Sequence, residues 1–215
     1  MALIEDIERY VKEKLGNDCT GHDWWHIVRV RKLADYIARR EHANILVVDL
    51  AALLHDVADW KLCQDQKAGL NEIRIFLESL SVDPMIIDQV GEIIQHISYK
   101  GAGVKQPELT LEGKIVQDAD RLDALGAMGI ARAFAYGGYN QQPIHNPEIK
   151  PTYHTSFKAY KSGGGTSLNH FYEKLLLLKD RMNTKTAREV AQQRHDFMEK
   201  YLTQFYREWN GSECV

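Results

Sequence analysis

Apolar residues recur along this chain at helical spacing, and no stretch alternates convincingly as a strand would. Leu3/Ile4, Ile7, Tyr10/Val11 and Leu15 trace one face of a first helix, and Gly16 suits the left-handed residue just past its end. After the polar turn NDCTG, Ile27, Val30, Leu33/Ala34 and Ile37 form a second stripe. His26 lies on that stripe, so its imidazole points inward. Asn44 is placed to cap the segment ILVVDLAALLHDVADW, which is apolar nearly all round and reads as a central buried helix. Residues 66–80 have the pattern of another amphipathic helix. Asp83-Pro84 supplies a capping carboxylate and a proline at the first helical position. Ile86/Ile87, Val90, Ile93/Ile94 and Ile97 then continue as its buried stripe.

The segment SYKGAGVKQPE reads as a loop, and residues 108–135 return to a helical period. From Gly137 to Thr166 the pattern fails, with Gly137-Gly138, three prolines and Gly163-Gly164-Gly165. So long a structureless stretch is uncommon in a compact domain and is usually either functional or mobile. Two helices close the chain, around 167–182 and 184–209. The second keeps Ala187, Val190/Ala191, Phe197/Met198, Tyr201/Leu202 and Phe205 on one face. The expected architecture is all-α: a single-domain helical bundle over residues 1–215, with a long loop insertion near 137–166.

Composition narrows the setting. The 215 residues suffice for one sizeable core, and 44% hydrophobic with 27% charged content is that of an ordinary globular protein. A formal charge of -3 offers no field for a nucleic-acid polymer, so an acidic substrate would need a local basic pocket. Cys19, Cys63 and Cys214 are odd in number and far apart, as expected of reduced thiols. The opening MALIEDIERYVKEK is too charged for a signal peptide, and no apolar run approaches about 18 residues. A soluble, cytoplasmic protein with no membrane partner is the expectation.

The chemistry lies in three places. His26 sits on an apolar face, His55-Asp56 follows a nearly continuous apolar run, and the cluster Asp118, Asp120, Asp123 falls in another helical segment. Burying Asp beside His is unfavourable unless something compensates it, and a divalent metal is the usual compensation. Two imidazoles with carboxylates form a mixed N/O set, suited to six-coordinate Mn²⁺, Fe²⁺, Co²⁺ or Mg²⁺ better than to a closed structural zinc. Helical period alone favours Asp118 as the next ligand, because it lies closest to the stripe of Leu111, Ile115, Ala119 and Leu122.

The blocks GHDWWHIVRV, AALLHDVADW and VQDADRLDALGAMGIARAF, with the tail KLLLLKDRMNT, resemble the H…HD…D signature of the HD-domain phosphohydrolase superfamily. The resemblance runs over nearly the whole chain and is strongest to a small single-domain bacterial branch that includes Mn²⁺-dependent nucleotide pyrophosphohydrolases. It implies His26, His55, Asp56 and Asp120 as metal ligands, Asp120 taking the place that the helical stripe gives to Asp118. It implies one divalent metal per chain, Mn²⁺ first, with Fe²⁺, Co²⁺, Mg²⁺ and Ni²⁺ as alternatives. Two-metal relatives carry additional interior histidines, whereas here His96 alone lies between the HD pair and the last Asp.

Asp59 stands four residues after His55 on the same helix face, where related nucleotidases bear a carboxylate that orients or deprotonates the attacking water. His22 and His26 also imitate a zincin H-E-x-x-H with Asp in place of Glu. That reading leaves the HD pair and DADRLD unexplained, so His22 is better read as a residue supporting the ligands from behind or as an acid near the leaving group. Arg29, Lys61, His96, Lys100 and Arg121 are candidate substrate contacts, the cations matching phosphate oxygens. With His145, Lys150, His154 and Lys158, the 137–166 stretch reads equally as a lid over the substrate, a dimer contact or a mobile excursion. The expected reaction is hydrolysis of a phosphoester or phosphoanhydride, with a nucleoside triphosphate as first substrate. A nucleoside monophosphatase, a phosphodiesterase and a non-catalytic nucleotide sensor are the alternatives, and the sequence leaves oligomeric state open, homodimer included.

Overall fold

The computed structural model describes residues 2–15, 23–58, 66–97, 108–152 and 165–212, and among them every regular element is helical. The chain runs α1 (Ala2–Leu15), α2 (Trp24–Glu41), α3 (Ile45–Leu54), α4 (Gln66–Ser79), α5 (Pro84–Ile97), α6 (Leu111–Asp123) and α7 (Gly126–Tyr139). A short α8 (Asn169–Glu173) and two 3₁₀ turns (Leu175–Leu177 and Lys179–Arg181) lead to the long α9 (Lys185–Trp209).

Local chemistry sets the helix starts. Asp23 accepts from the His26 N–H and begins α2, Asn44 accepts from Leu46 and Val47 to begin α3, and Thr110 and Thr184 cap α6 and α9. The Asp83 carboxylate accepts from Met85 N–H at 2.8 Å, as the Asp-Pro signal predicts. His42 adopts φ 58° to close α2, sending its N–H back to the Ala38 carbonyl.

Helices α2, α3 and α6 form the centre, with α5 against α3 and α6, α4 against α5, and α1 against α3. Helix α9 crosses α7, α6 and α2, burying Ala187, Ala191, His195, Met198 and Leu202. Asp49, the one charge in the apolar run of α3, receives the Arg31 guanidinium, which also reaches Glu8 at 2.6 Å and so ties α1, α2 and α3 together. Among the described residues no helix is long and apolar enough to cross a membrane.

Four boundaries differ from the sequence expectation. Helix α3 ends at Leu54 and residues 55–58 form a turn, so His55 and Asp56 stand at the helix's end. The span 108–135 is two helices, bent where Gly126 takes φ 71° with Arg194 packed against its α-carbon. Gly137 and Gly138 belong to α7: a β-carbon on Gly137 would lie 1.9 Å from Ser167 Oγ, so that glycine permits a close approach. The irregular stretch therefore starts at Asn140, and the helix expected over 167–182 is one short helix and two 3₁₀ turns.

Candidate metal centre

Three elements converge at the centre of the bundle. Helix α2 contributes His26 two residues after its Trp24 start, the end of α3 contributes His55 and Asp56, and the last turn of α6 contributes Asp120 and Asp123. Asp23 fixes the first turn of α2 and thereby the entry of His26 into the core. His26 is fully buried, and His55 and Asp56 are each 4% exposed. Single donor atoms of these three residues all lie within 4.8 Å of one another.

The ring nitrogens are oriented from behind. His26 Nδ1 lies 2.7 Å from Asp123 Oδ2, and an ionised carboxylate can only accept, so the proton sits on Nδ1. His55 Nδ1 donates in the same way to the Ala52 carbonyl at 2.9 Å. Both Nε2 atoms therefore turn toward the carboxylates. His26 Nε2 is 3.4 Å from Asp56 Oδ2 and 3.4 Å from Asp120 Oδ1, and His55 Nε2 is 3.4 Å from Asp56 Oδ1. The two rings stand 5.3 Å apart between centroids at 62°.

This arrangement fits a divalent cation. Two donors each about 2.1 Å from one ion lie about 3.0 Å apart at right angles and about 3.4 Å apart at the tetrahedral angle. The observed separations of 3.4 Å lie at the wide end of that range, so a six-coordinate ion would draw the donors a few tenths of an ångström together. His55 Nε2 is moreover buried with no hydrogen-bond partner, a condition an interior rarely tolerates. The Asp120 side chain is 39% exposed, whereas that of His26 is at 0%, so the cluster reaches solvent on the Asp120 side.

Electrostatics point the same way. Burial alone would lower the His26 imidazole, but hydrogen bonding to Asp120 and Asp123 and the charge of Asp56 push it up to about 9. Burial alone would raise Asp120, yet the contact with His26 and the charges of His55 and His26 hold its carboxyl well below the usual range. The same carboxylates would draw a metal cation, which displaces the His26 proton when it binds.

Asp118 is turned away from this cluster. Asn183 donates to it from its N–H and Nδ2, and Thr184 from its N–H and Oγ1, at 2.8 to 3.1 Å. The helical stripe favoured Asp118 because it is buried, but what buries it is the segment leading into α9.

Two candidate phosphate contacts are also committed elsewhere. Arg29 places Nε at 2.7 Å and Nη2 at 3.0 Å on Asp123, and Arg121 donates to the Arg181 carbonyl. His96 is half-buried with Nδ1 on the Glu92 carbonyl one turn back, at 2.9 Å. Trp25 is largely exposed, while Trp24 packs under the Lys12 ammonium. His145 packs against Phe205, Tyr206 and Trp209 at the end of α9. His22, Asp59, Trp60, Lys61, Lys100, Lys105, His154, Lys158 and the three cysteines lie outside the described residues.

Sequence reasoning grouped Asp123 only with the candidate ligands and gave no role to Arg132; the two build the back of the site. Arg132 from α7 donates to Asp123 Oδ2 at 2.8 Å, beside the fork of Arg29. The available signal was position: Asp123 continues the apolar stripe of Val116 and Ala119, and a carboxylate there demands partners.

Comparison with known proteins agrees with the motif. The HD domain family matches residues 24–125, the span from His26 to just past Asp123. YpgQ of Bacillus subtilis, an uncharacterised protein, is 40% identical over 212 residues, covering 98% of this chain and 95% of YpgQ. The structure of YpgQ in complex with ADP superimposes with TM-score 0.77 at 36% identity, over 95% of this chain and 97% of that one. A Lactobacillus plantarum protein reaches TM-score 0.85 at 38% identity over 98% of both chains. An HD-superfamily hydrolase of Bacillus thuringiensis gives 0.77 at 43% identity over 97% of both. The chain belongs to the HD-domain superfamily and has the fold of its hydrolases.

Proposed function

We propose that this chain is a metal-dependent phosphohydrolase that cleaves nucleoside triphosphates to monophosphate and pyrophosphate. The observation that carries the reading is the buried convergence of His26, His55 and Asp56, with Asp120 3.4 Å from His26. These four side chains are the proposed ligands of one divalent ion; the mixed N/O donor set suits Mn²⁺, Fe²⁺, Co²⁺, Mg²⁺ or Ni²⁺, and the resemblance to Mn²⁺-dependent nucleotide pyrophosphohydrolases puts Mn²⁺ first. Such an ion supplies Lewis acidity toward a phosphoryl oxygen and acidifies water. Nucleotide as the substrate class is supported by the ADP complex of YpgQ.

The chain's own groups complete the chemistry. Asp59, four residues beyond His55, aligns the attacking water and takes its proton, and His22 protonates the leaving oxygen. Lys61 and Lys100 neutralise charge on the phosphates and His96 hydrogen-bonds to them, since Arg29 and Arg121 already hold other partners. Burial of His26, His55 and Asp56 keeps competing water from their donor atoms. Incubation with Mn²⁺ and nucleoside tri-, di- and monophosphates, resolved by anion exchange, tests the reading. Monophosphate with pyrophosphate, absent in Asp56→Ala, supports it; nucleoside with phosphate shifts it to a monophosphatase.

A further inference from the structure

We propose that Asp123 is a positioning residue that fixes the ring and the tautomer of His26, and that Arg29 and Arg132 exist at this site to hold Asp123 in place. The inference rests on the metal reading above and goes beyond it to the residues that prepare the centre.

His26 sits two residues inside α2, and its ring can rotate about χ2 between two faces of the site. Asp123 removes that choice. Its Oδ2 meets Nδ1 at 2.7 Å, so in the neutral ring that binds a metal the lone pair is on Nε2, the nitrogen 3.4 Å from Asp56 and Asp120. A ring flipped by half a turn would set its nitrogens elsewhere and lose that hydrogen bond.

The carboxylate is itself locked. Arg29, one turn after His26 on α2, takes both oxygens with a two-pronged fork at 2.7 and 3.0 Å. Arg132 reaches Oδ2 from α7 at 2.8 Å, across the bend at Gly126. The Asp123 side chain is 1% exposed, and the two arginine side chains are 27% and 17% exposed. Two guanidinium groups on one buried carboxylate offset its charge, so Asp123 orients His26 without adding to the negative charge that Asp56 and Asp120 present. That division separates the three carboxylates around one imidazole: two face the metal position, and one is reserved for the ring behind it. Outer partners of this kind are worth about 10- to 100-fold in metal affinity.

The test compares wild type, Asp123→Ala and Asp123→Asn by two readouts. Titration with Co²⁺, followed by its visible absorption, is expected to show binding about 10- to 100-fold weaker in Asp123→Ala. Asp123→Asn, which keeps an oxygen acceptor and the residue's shape, is expected to fall between it and wild type. In metal-free protein the His26 Nδ1–H proton resonance, shifted downfield and slow to exchange, is expected in wild type and lost in Asp123→Ala. A purely structural role would lower stability without moving either readout. Wild-type Co²⁺ affinity in both variants, or an unchanged Nδ1–H resonance in Asp123→Ala, would overturn the proposal. Where the alanine variant does not fold, Asp123→Asn decides by the same affinity measurement. Wild-type protein that binds no Co²⁺ would instead overturn the metal reading, while the Nδ1–H resonance still reports on Asp123.

Discussion

Asp118 and Thr184 lock the last helix to the helix that carries Asp120. Thr184 donates to Asp118 Oδ2 from its N–H at 2.8 Å and from Oγ1 at 2.9 Å, and the same Oγ1 caps α9 by accepting from Ala187. Neighbouring Asn183 adds its own N–H and Nδ2, the latter also reaching Gln117 at 3.0 Å. Two aspartates separated by one residue thus divide the labour: Asp118 fastens α6 to the C-terminal segment, and Asp120 faces His26.

Asp118→Ala would strand those buried donors and is expected to destabilise the protein by about 3 kcal/mol. It should leave metal stoichiometry unchanged, whereas Asp120→Ala should do the opposite. Urea denaturation alongside metal analysis separates the two, and a metal-free but fully stable Asp118→Ala would contradict this division.

Metal removal offers a second handle. An ion that binds only the folded state stabilises it by about 2.7 kcal/mol at a hundredfold excess over Kd. Wild-type protein is therefore expected to melt higher with Mn²⁺ than with a chelator, and His55→Ala should show no such rise. Equal melting of wild type in both conditions would speak against a site that binds metal in the folded state.

The glycine pair of α7 gives opposite signs at adjacent positions. Gly137→Ala would press a methyl against Ser167 and is expected to cost about 1–3 kcal/mol. Gly138 has nothing within 4 Å of an added β-carbon and lies in a helix, so Gly138→Ala should gain about 0.5 kcal/mol. Thermal melts of both variants check this, and equal small effects would place the pair in a loop after all.

Acid stability should depend on His170. Burial, with the nearby Lys174 charge, holds its imidazole down at about 3 in the fold, against an ordinary value of 6.5. Between those values the unfolded chain binds a proton that the folded one refuses, so stability falls as pH drops below 6.5. The slope for one proton is about 1.4 kcal/mol per pH unit. His170→Gln should flatten the fall between pH 6.5 and 5 in urea melts, and an unchanged slope would show that His170 takes its proton in the fold.

Much of the scaffold was legible because burial here follows helical period and two caps are explicit: Asn44 and Asp83 each stand where a helix starts. The bend at Ala124–Leu125 was not, because the apolar period continues on both sides and only Gly126 marks it. Gly137-Gly138 misled for a related reason: a glycine that permits close packing and a glycine that breaks a helix look alike in sequence. At the site, helical period located buried carboxylates but could not say what each faces. It could not distinguish Asp118 among amide and hydroxyl donors from Asp120 beside an imidazole, since that depends on helices far apart in the chain. Likewise Arg29 looked like a free cation until α6 brought Asp123 to it across 94 positions.

The central claim is that His26, His55, Asp56 and Asp120 together hold one divalent ion. Elemental analysis of protein equilibrated with Mn²⁺ and freed of excess metal tests it most directly, with Asp56→Ala as the control. One ion per wild-type chain, lost in the variant while its helical circular dichroism is retained, is the predicted result. Wild-type stoichiometry in Asp56→Ala, or no bound metal in either protein, would contradict it.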